Sequence, residues 1–436
     1  MRNVARLHAY ASPECASLPR RYAVSAVRYV DELPAALASA PVVHLLCGVN
    51  SDSGAATQPA SFPGLEALRC DTSSALHTAL CACRAIKSPA EVKLLRYVCK
   101  LSSEAHIAVM KQARAGMFEY QLESLFMHHC YMWGGARHVG YTSICACGPH
   151  GAVLHYGHAG APNDAELRDG DMALLDMGAE YACYGADITR SFPIGGSFSE
   201  DQALVYNAVL AAQDAVFAAV RPGVEWTDMH RLAERALLAA LTKCGSASVP
   251  ACGCLLTACP TCAQGRLAAR HARGASGGAL RCSLHAARPG TLAGALSAST
   301  VLRVCAKRRL LLLLNNSQGI DTHDVGGYPA GRQRVAAPGI CKLRMNRHVE
   351  AGMVLTVEPG CYFIAPLLAA AAADAAQAAL LVPEALARFA GFGGVRLEDD
   401  IVVTADGMEN LTLCPRTVAE VEAVMRGAPW PPEDKL

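Results

Sequence analysis

The spacing of apolar residues predicts four helices between residues 88 and 243. The string SPAE at 88–91 is typical of a helix start, because serine can cap the first turn, proline fits its first position and glutamate can close a capping box. Apolar residues then recur at helical spacing as far as Val109. The same periodicity predicts helices over 119–133, 201–220 and 227–243.

Short aliphatic runs typical of buried strands lie between and after these helices. They are MALLDM at 172–177, ITRSF at 188–192, MVLTV at 353–357 and IVV at 401–403. The order of helices, hairpin, helices and strands predicts an α+β fold, with an antiparallel sheet backed by helices. Strand and helix patterns are mixed before residue 88, where the long helix begins, so we expect two domains, over 1–87 and 88–436.

Four carboxylates lie inside or at the end of these strand-like runs. They are Asp176, Asp187, Glu358 and Glu398. One such acid alone is most simply a solvated strand end, but burying an ionised carboxylate is costly unless a cation or hydrogen bonds compensate it. Asp176 and Asp187 are expected to face each other across a hairpin, where two like charges need a counter-cation. The four acids together therefore predict a metal site.

Length and composition allow an ordinary soluble enzyme. The 436 residues are 52% hydrophobic and 18% charged, which allows a large core in two domains. Lys+Arg at 39 against Asp+Glu at 38 offers no electrostatic case for nucleic acid or an anionic membrane as partner. The first residues contain no apolar stretch typical of a signal peptide, so we expect a cytoplasmic protein whose 20 cysteines are mostly free thiols.

Four longer motifs resemble those of the pita-bread metallopeptidases, and in detail those of the prolidase branch of that family. They are DMGAEYACYGADITRSFP, GIDTHDVGGYP, GMVLTVEPGCYF and GFGGVRLEDDIVV. The resemblance implies a pita-bread (creatinase/aminopeptidase-like) catalytic domain from about residue 88, preceded by a truncated α/β creatinase-like N-terminal domain. It also implies a homodimer.

The activity implied by this resemblance is metal-dependent hydrolysis of dipeptides that end in proline or hydroxyproline. Two manganese ions would generate a metal-activated hydroxide, and the oxygen-rich ligand set suits Mn²⁺. By resemblance, Asp187 and Glu398 bridge the ions, Asp176 binds one, and Glu358 binds the other and relays a proton. An Xaa-Pro aminopeptidase, which acts on longer peptides, is the alternative within enzymes.

Five further residues match substrate-binding positions of the family. They are His155, His323, Arg344, Arg396 and the weaker candidate Tyr141. The resemblance implies that the two histidines contact substrate and stabilise the developing oxyanion. The two arginines would clamp the free carboxylate of a dipeptide. A lone histidine is more often structural, so these assignments depend on the resemblance.

The chain departs from the family pattern at the fifth metal ligand. The family has a histidine seven residues before the histidine that matches His323, and Asn316 stands at that position. A neutral amide oxygen is a weak ligand, so one ion should be held poorly. A second class of function therefore stays open, in which the chain is a catalytically inactive relative that binds a partner or dimerises.

The segment 244–316 around this position is anomalous, because its 73 residues contain no Asp or Glu. Seven cysteines lie in it, but their spacing lacks the second well-separated pair of a strong zinc motif. We interpret the segment as non-family sequence, either an insertion or translated non-coding or frame-shifted sequence. Sequencing the transcript tests this, because a spliced message encoding a Gly-Leu-Gly-His loop would support it.

Overall fold

The computed structural model describes residues 18–51, 54–243, 318–329, 331–337, 339–379, 381 and 383–431. Asn316 and the whole segment 244–316 lie outside the described residues. The helices are α1 (Leu18–Tyr22), α2 (Leu33–Leu37), α3 (Ala75–Ala85), α4 (Pro89–Gln112), α5 (Glu119–Gly134), α6 (Glu200–Ala219), α7 (Trp226–Lys243), α8 (Ala365–Ala373), α9 (Ala375–Ala378), α10 (Pro383–Ala387) and α11 (Val418–Met425). The strands are β1 (Val43–His44), β2 (Cys70–Asp71), β3 (His138–Val139), β4 (Ile144–Cys147), β5 (Met172–Asp176), β6 (Ala179–Tyr181), β7 (Tyr184–Gly185), β8 (Thr189–Pro193), β9 (Val354–Val357), β10 (Gly360–Tyr362), β11 (Gly394–Arg396), β12 (Asp399–Val403) and β13 (Met408–Asn410).

The helices predicted from apolar spacing are confirmed to within about one residue at most of their ends. At the start of α4, the Ser88 hydroxyl accepts from the Glu91 amide at 3.3 Å, and the Glu91 carboxylate accepts from the Ser88 amide at 2.7 Å. This reciprocal capping box satisfies two backbone donors that a helix start otherwise leaves unpaired. α4 buries one face against α5 and the β6–β7 hairpin.

The described strands form small antiparallel sheets, apart from the parallel pair β1–β2. The central ones have the strand orders β4-β5-β8 and β13-β12-β9. Strands β5, β8, β9 and β12 of these sheets are fully buried and pack with helices in one fold, which confirms the α+β class. One detail of the predicted hairpin is wrong, because the cross-strand partner of Asp176 is Thr189 and not Asp187. The reason is that β6 and β7 form a hairpin of their own between the two acids.

A buried ion pair joins the start of α4 to the segment that carries His323. Lys87 Nζ lies 3.2 Å from an oxygen of Asp324, and both side chains are 1% exposed. Arg84, at the end of α3, contacts the other Asp324 oxygen at 2.5 Å. Two cations on one buried carboxylate hold the backbone beside His323 against the helical layer.

The apolar run 365–382 contains two short helices. α8 ends directly before Asp374, and α9 begins directly after it. None of the described helices combines the length and the apolar composition that a bilayer-spanning helix requires.

Candidate metal centre and substrate pocket

One pocket of about 330 Å³ brings together the side chains for which the sequence predicts a role. Its lining includes Asp176, Asp187, Glu358 and Glu398, together with Tyr141, His155, His323, Arg344 and Arg396. Asp321, which the sequence analysis did not single out, also lines the pocket. The lining therefore contains five carboxylates and two guanidinium groups. The pocket is therefore rich in negative charge and suited to a cation. The individual roles of the nine residues stay predictions.

The four acids meet because each stands at the end of a strand. Asp176 ends β5, Asp187 lies between β7 and β8, Glu358 follows β9, and Glu398 lies between β11 and β12. Antiparallel pairing of β5 with β8 and of β9 with β12 places these ends near one another. A β-bridge between Thr189 and Glu398 joins the two sheets. Residues far apart in the chain thus come to one point.

Three of the acids form a compact cluster of oxygens. One carboxylate oxygen each from Asp176, Asp187 and Glu398 lies within 4.8 Å of the others, and all three residues are buried. Burial, followed by the charges of Asp176 and Glu358, holds the pKa of Asp187 well above its usual range. Burial and the neighbouring acids do the same to the pKa of Glu398. Burial raises the pKa of Glu358 to about 7, against the lowering effect of Arg396 and Arg344.

These properties fit a divalent metal ion. Carboxylates that burial and mutual repulsion drive towards protonation are returned to their charged form when a cation binds between them. The donor set consists of oxygen atoms, which hard cations such as Mn²⁺ and Mg²⁺ prefer. Glu358 is not part of the three-residue cluster, but its charge acts on both Asp187 and Glu398.

Arg396 partly neutralises this cluster. It is 2% exposed, and its Nη2 donates to Asp176 Oδ2 at 2.5 Å. Its Nε donates to Thr189 Oγ1 at 2.9 Å and its Nη1 to the Tyr362 hydroxyl at 3.0 Å. Because all three guanidinium nitrogens contact the protein, the geometry favours a role in holding the acids. Its predicted contact with a substrate carboxylate stays a prediction.

A layer behind the acids, which the sequence analysis missed, fixes their backbone. Arg190 is fully buried, pairs with Asp399 at 2.6 Å, and donates through Nη1 to the carbonyl oxygens of Thr189 and Glu398, both at 2.9 Å. The Asp187 amide donates to Asp400 Oδ2 at 3.0 Å. Arg190 could have been found from the sequence, because it is a charged residue inside the apolar run ITRSF. The same feature, a charge in a strand-like run, identified the four acids.

The lining of the same pocket carries the predicted substrate residues. Burial and the charges of Arg344 and Arg396 lower the pKa of His155, which favours a neutral imidazole. The Tyr141 hydroxyl donates to Asp176 Oδ1 at 2.5 Å, so Tyr141 is in direct contact with the carboxylate cluster. The sequence analysis did not single out Tyr156, His158 and Thr322, which also line the pocket.

Comparison with known proteins identifies the family. A model of metallopeptidase family M24 matches residues 93–259 and 261–405. The chain belongs to metallopeptidase family M24. This M24 chain is 46% identical to the Xaa-Pro dipeptidase of Homo sapiens over 409 residues, which cover 93% of this chain and 73% of that relative.

Solved structures agree with the assignment to M24. The structure of Pseudomonas aeruginosa aminopeptidase PepP matches this chain with a TM-score of 0.62 and 29% sequence identity. The match covers 94% of this chain and 78% of the aminopeptidase chain. The structure of Zn-substituted Escherichia coli aminopeptidase P in complex with product matches with a TM-score of 0.61 and 27% sequence identity. This match covers 94% of this chain and 77% of the aminopeptidase chain. The predicted pita-bread fold is confirmed. The matched ranges include all of 244–316 except residue 260, and the origin of that segment stays a hypothesis.

Proposed function

We propose that this chain is a metal-dependent dipeptidase that hydrolyses Xaa-Pro dipeptides, with Mn²⁺ as its ion. The observation that carries the proposal is the three-carboxylate oxygen cluster in a pocket that also holds cationic and imidazole groups. The 46% identity to an Xaa-Pro dipeptidase favours a dipeptidase over an aminopeptidase, since the similar aminopeptidases are 30–32% identical. A homodimer in the cytoplasm is part of the proposal.

Asp176, Asp187, Glu398 and Glu358 would hold the metal ions. When bound, divalent ions polarise a carbonyl and lower the pKa of a bound water. Glu358, as one of these ligands, would also relay the proton that the reaction needs, acting as a general base. This matters for a bond to proline, because the departing ring nitrogen has no hydrogen in the peptide and must gain one as it leaves.

The predicted substrate residues of the pocket would bind and orient the dipeptide. A neutral His155 can donate a hydrogen bond to the oxygen on which negative charge develops, and His323 would act beside it. Arg344 would pair with the free carboxylate that a dipeptide carries directly after its proline. Its charge acts on both His155 and Glu358, which places it near the groups that would perform the chemistry.

Metal content and turnover together test the proposal. The purified full chain, loaded with Mn²⁺ and dialysed, is expected to retain metal and to hydrolyse Gly-Pro faster than a proline-containing pentapeptide. Less than one ion per chain with no turnover would favour the inactive relative instead. Because Asn316 replaces the expected histidine, we expect one of two ions to dissociate more readily, which stepwise metal analysis during dialysis measures.

Replacing Arg344 by methionine is expected to raise the KM for Gly-Pro roughly 30-fold, because a charge-assisted hydrogen bond to the carboxylate is lost. The amide Gly-Pro-NH2 lacks that carboxylate, so its KM should change little. Metal content should stay the same. Arg388→Met, which removes an exposed arginine from an ion pair outside the pocket, is the matched control. Equal losses on both substrates would contradict the proposed clamp.

A further inference from the structure

Glu119 is a buried acid that has no part in the proposed chemistry. It is the first residue of α5 and is 0% exposed. Its Oε1 accepts from the Cys147 amide at 2.8 Å and from His150 Nδ1 at 3.0 Å. Its Oε2 accepts from the Tyr156 hydroxyl at 2.9 Å and from the Ala165 amide at 3.1 Å. Four donors use the full acceptor capacity of one carboxylate.

Two of these contacts hold the ends of one stretch of chain, residues 148–165, which we name the pocket loop, and the other two hold His150 and Tyr156 within it. The Cys147 amide directly precedes the loop and the Ala165 amide ends it. Between them lie His155, Tyr156 and His158, which line the pocket. One buried side chain therefore sets the path of the loop that supplies a predicted substrate-binding histidine.

Tyr156 transmits this constraint to its neighbour His155. Its hydroxyl is held by Glu119, and its ring stacks on the ring of His150 with centroids 4.5 Å apart. Because a carboxylate only accepts, His150 donates through Nδ1, so the same acid also orients the stacking ring. Tyr156 is thus held at its tip and on its face, which limits the positions open to His155.

The far end of the pocket loop has a second attachment. Asn163 donates to Glu123 Oε2 and to the Ser143 carbonyl, both at 2.9 Å, and accepts from the Cys145 amide at 3.1 Å. Loss of Glu119 would leave these bonds in place. The part of the loop nearest His155 therefore depends on Glu119 more than the part around Asn163 does.

We propose that Glu119 is a positioning residue, which acts through Tyr156 and the pocket loop to hold His155 where it meets the substrate. The inference rests on the proposed function. Glutamine at this position can accept at one atom only and would place an NH2 group against two donors. The loop should then move by a fraction of an ångström or more, and small misplacements of this kind cost up to about 100-fold in rate.

The test uses the full chain loaded with Mn²⁺ and Gly-Pro as substrate. Glu119→Gln should lower kcat/KM roughly 10- to 100-fold, mostly through kcat, without loss of metal. In a His155→Ala background the same substitution should change kcat/KM by no more than about twofold, because the residue it positions is absent. Effects that multiply in full would show that Glu119 acts independently of His155 and would overturn the proposal.

A milder pair of variants guards against failure of Glu119→Gln to fold. Tyr156→Phe removes one hydroxyl from the Glu119 network and should lower kcat/KM in the same direction by a smaller factor. Tyr120→Phe removes the hydroxyl of an exposed tyrosine next to Glu119 and should have no effect. A Tyr156→Phe variant with unchanged kcat/KM would count against the proposal.

Hydrogen exchange gives a readout that does not need turnover. Amides of residues 153–158 should exchange faster in Glu119→Gln, whereas those of β5 and β8 should not change. An inactive parent protein would contradict the proposed function alone. Faster exchange of the pocket loop would still support the positioning role in that case, and unchanged exchange would overturn it.

Discussion

Replacing Asp187 by asparagine is expected to abolish Gly-Pro hydrolysis and, at the same time, to stabilise the metal-free protein. Burial and the neighbouring acids raise the pKa of Asp187, and the substitution removes a carboxylate whose charged form a bound cation would require. A neutral amide binds a hard cation weakly, so kcat/KM should fall by at least about 10³-fold, corresponding to about 4 kcal/mol of lost transition-state stabilisation. Without metal, the same change relieves repulsion among buried carboxylates.

Thermal unfolding with and without chelator, together with metal analysis, measures both effects. The variant should melt at a higher temperature than the parent in chelator, and added Mn²⁺ should raise its melting temperature little. Asp169→Asn removes an exposed carboxylate outside the pocket and should leave activity and the response to Mn²⁺ unchanged. A variant at Asp187 that keeps its metal and its turnover would refute the assigned role.

The second large effect is a loss of stability of the metal-free protein as the pH rises from about 5 to about 8. Burial raises the pKa of Glu358 from 4.5 to about 7, so between these values the folded state binds a proton that the unfolded state releases. The stabilisation is fully present below pH 4.5 and is lost as the pH passes 7. A shift of this size corresponds to about 3 kcal/mol, and raised pKa values of Asp187 and Glu398 act in the same direction.

His106 acts in the opposite direction. Burial lowers its pKa from 6.5 to about 4, so its contribution to stability is lost as the pH falls through that range. The effect of the acids is therefore isolated by comparing the free energy of unfolding with Mn²⁺ and with chelator at each pH. Mn²⁺ competes with protons for the carboxylates but not for His106, so the stabilisation by Mn²⁺ should be larger at pH 8 than at pH 5.5. Equal stabilisation at both values would contradict the assignment.

Local signals in the sequence determined most of the secondary structure and the composition of the site. The capping box at Ser88 and the apolar spacing that follows it describe a contiguous helix, and such patterns depend on neighbours along the chain. The acids Asp176, Asp187, Glu358 and Glu398 were recognisable because a charge inside a buried strand pattern has to be compensated. Family resemblance supplied the histidines and arginines, whose surroundings in sequence are not distinctive.

Local sequence patterns could not predict which distant segments pair with each other. The partner of Asp176 is Thr189 because the β6–β7 hairpin absorbs the intervening residues, and apolar alternation does not specify that register. Likewise, Arg396 contacts Asp176 because two strands 220 residues apart meet. Side chains brought together by long-range packing leave no trace in local spacing.

The sequence by itself thus determined the helices, the α+β class, the family and nine of the residues that line the pocket. Only the tertiary structure decided how those residues act on one another. It showed that three acids form a cluster with an arginine bound to it. It also showed that Glu119, the first residue of the helix predicted over 119–133, is buried and bound at both ends of the pocket loop. The physical reason is that burial and electrostatic coupling depend on distance in space, whereas sequence patterns report distance along the chain.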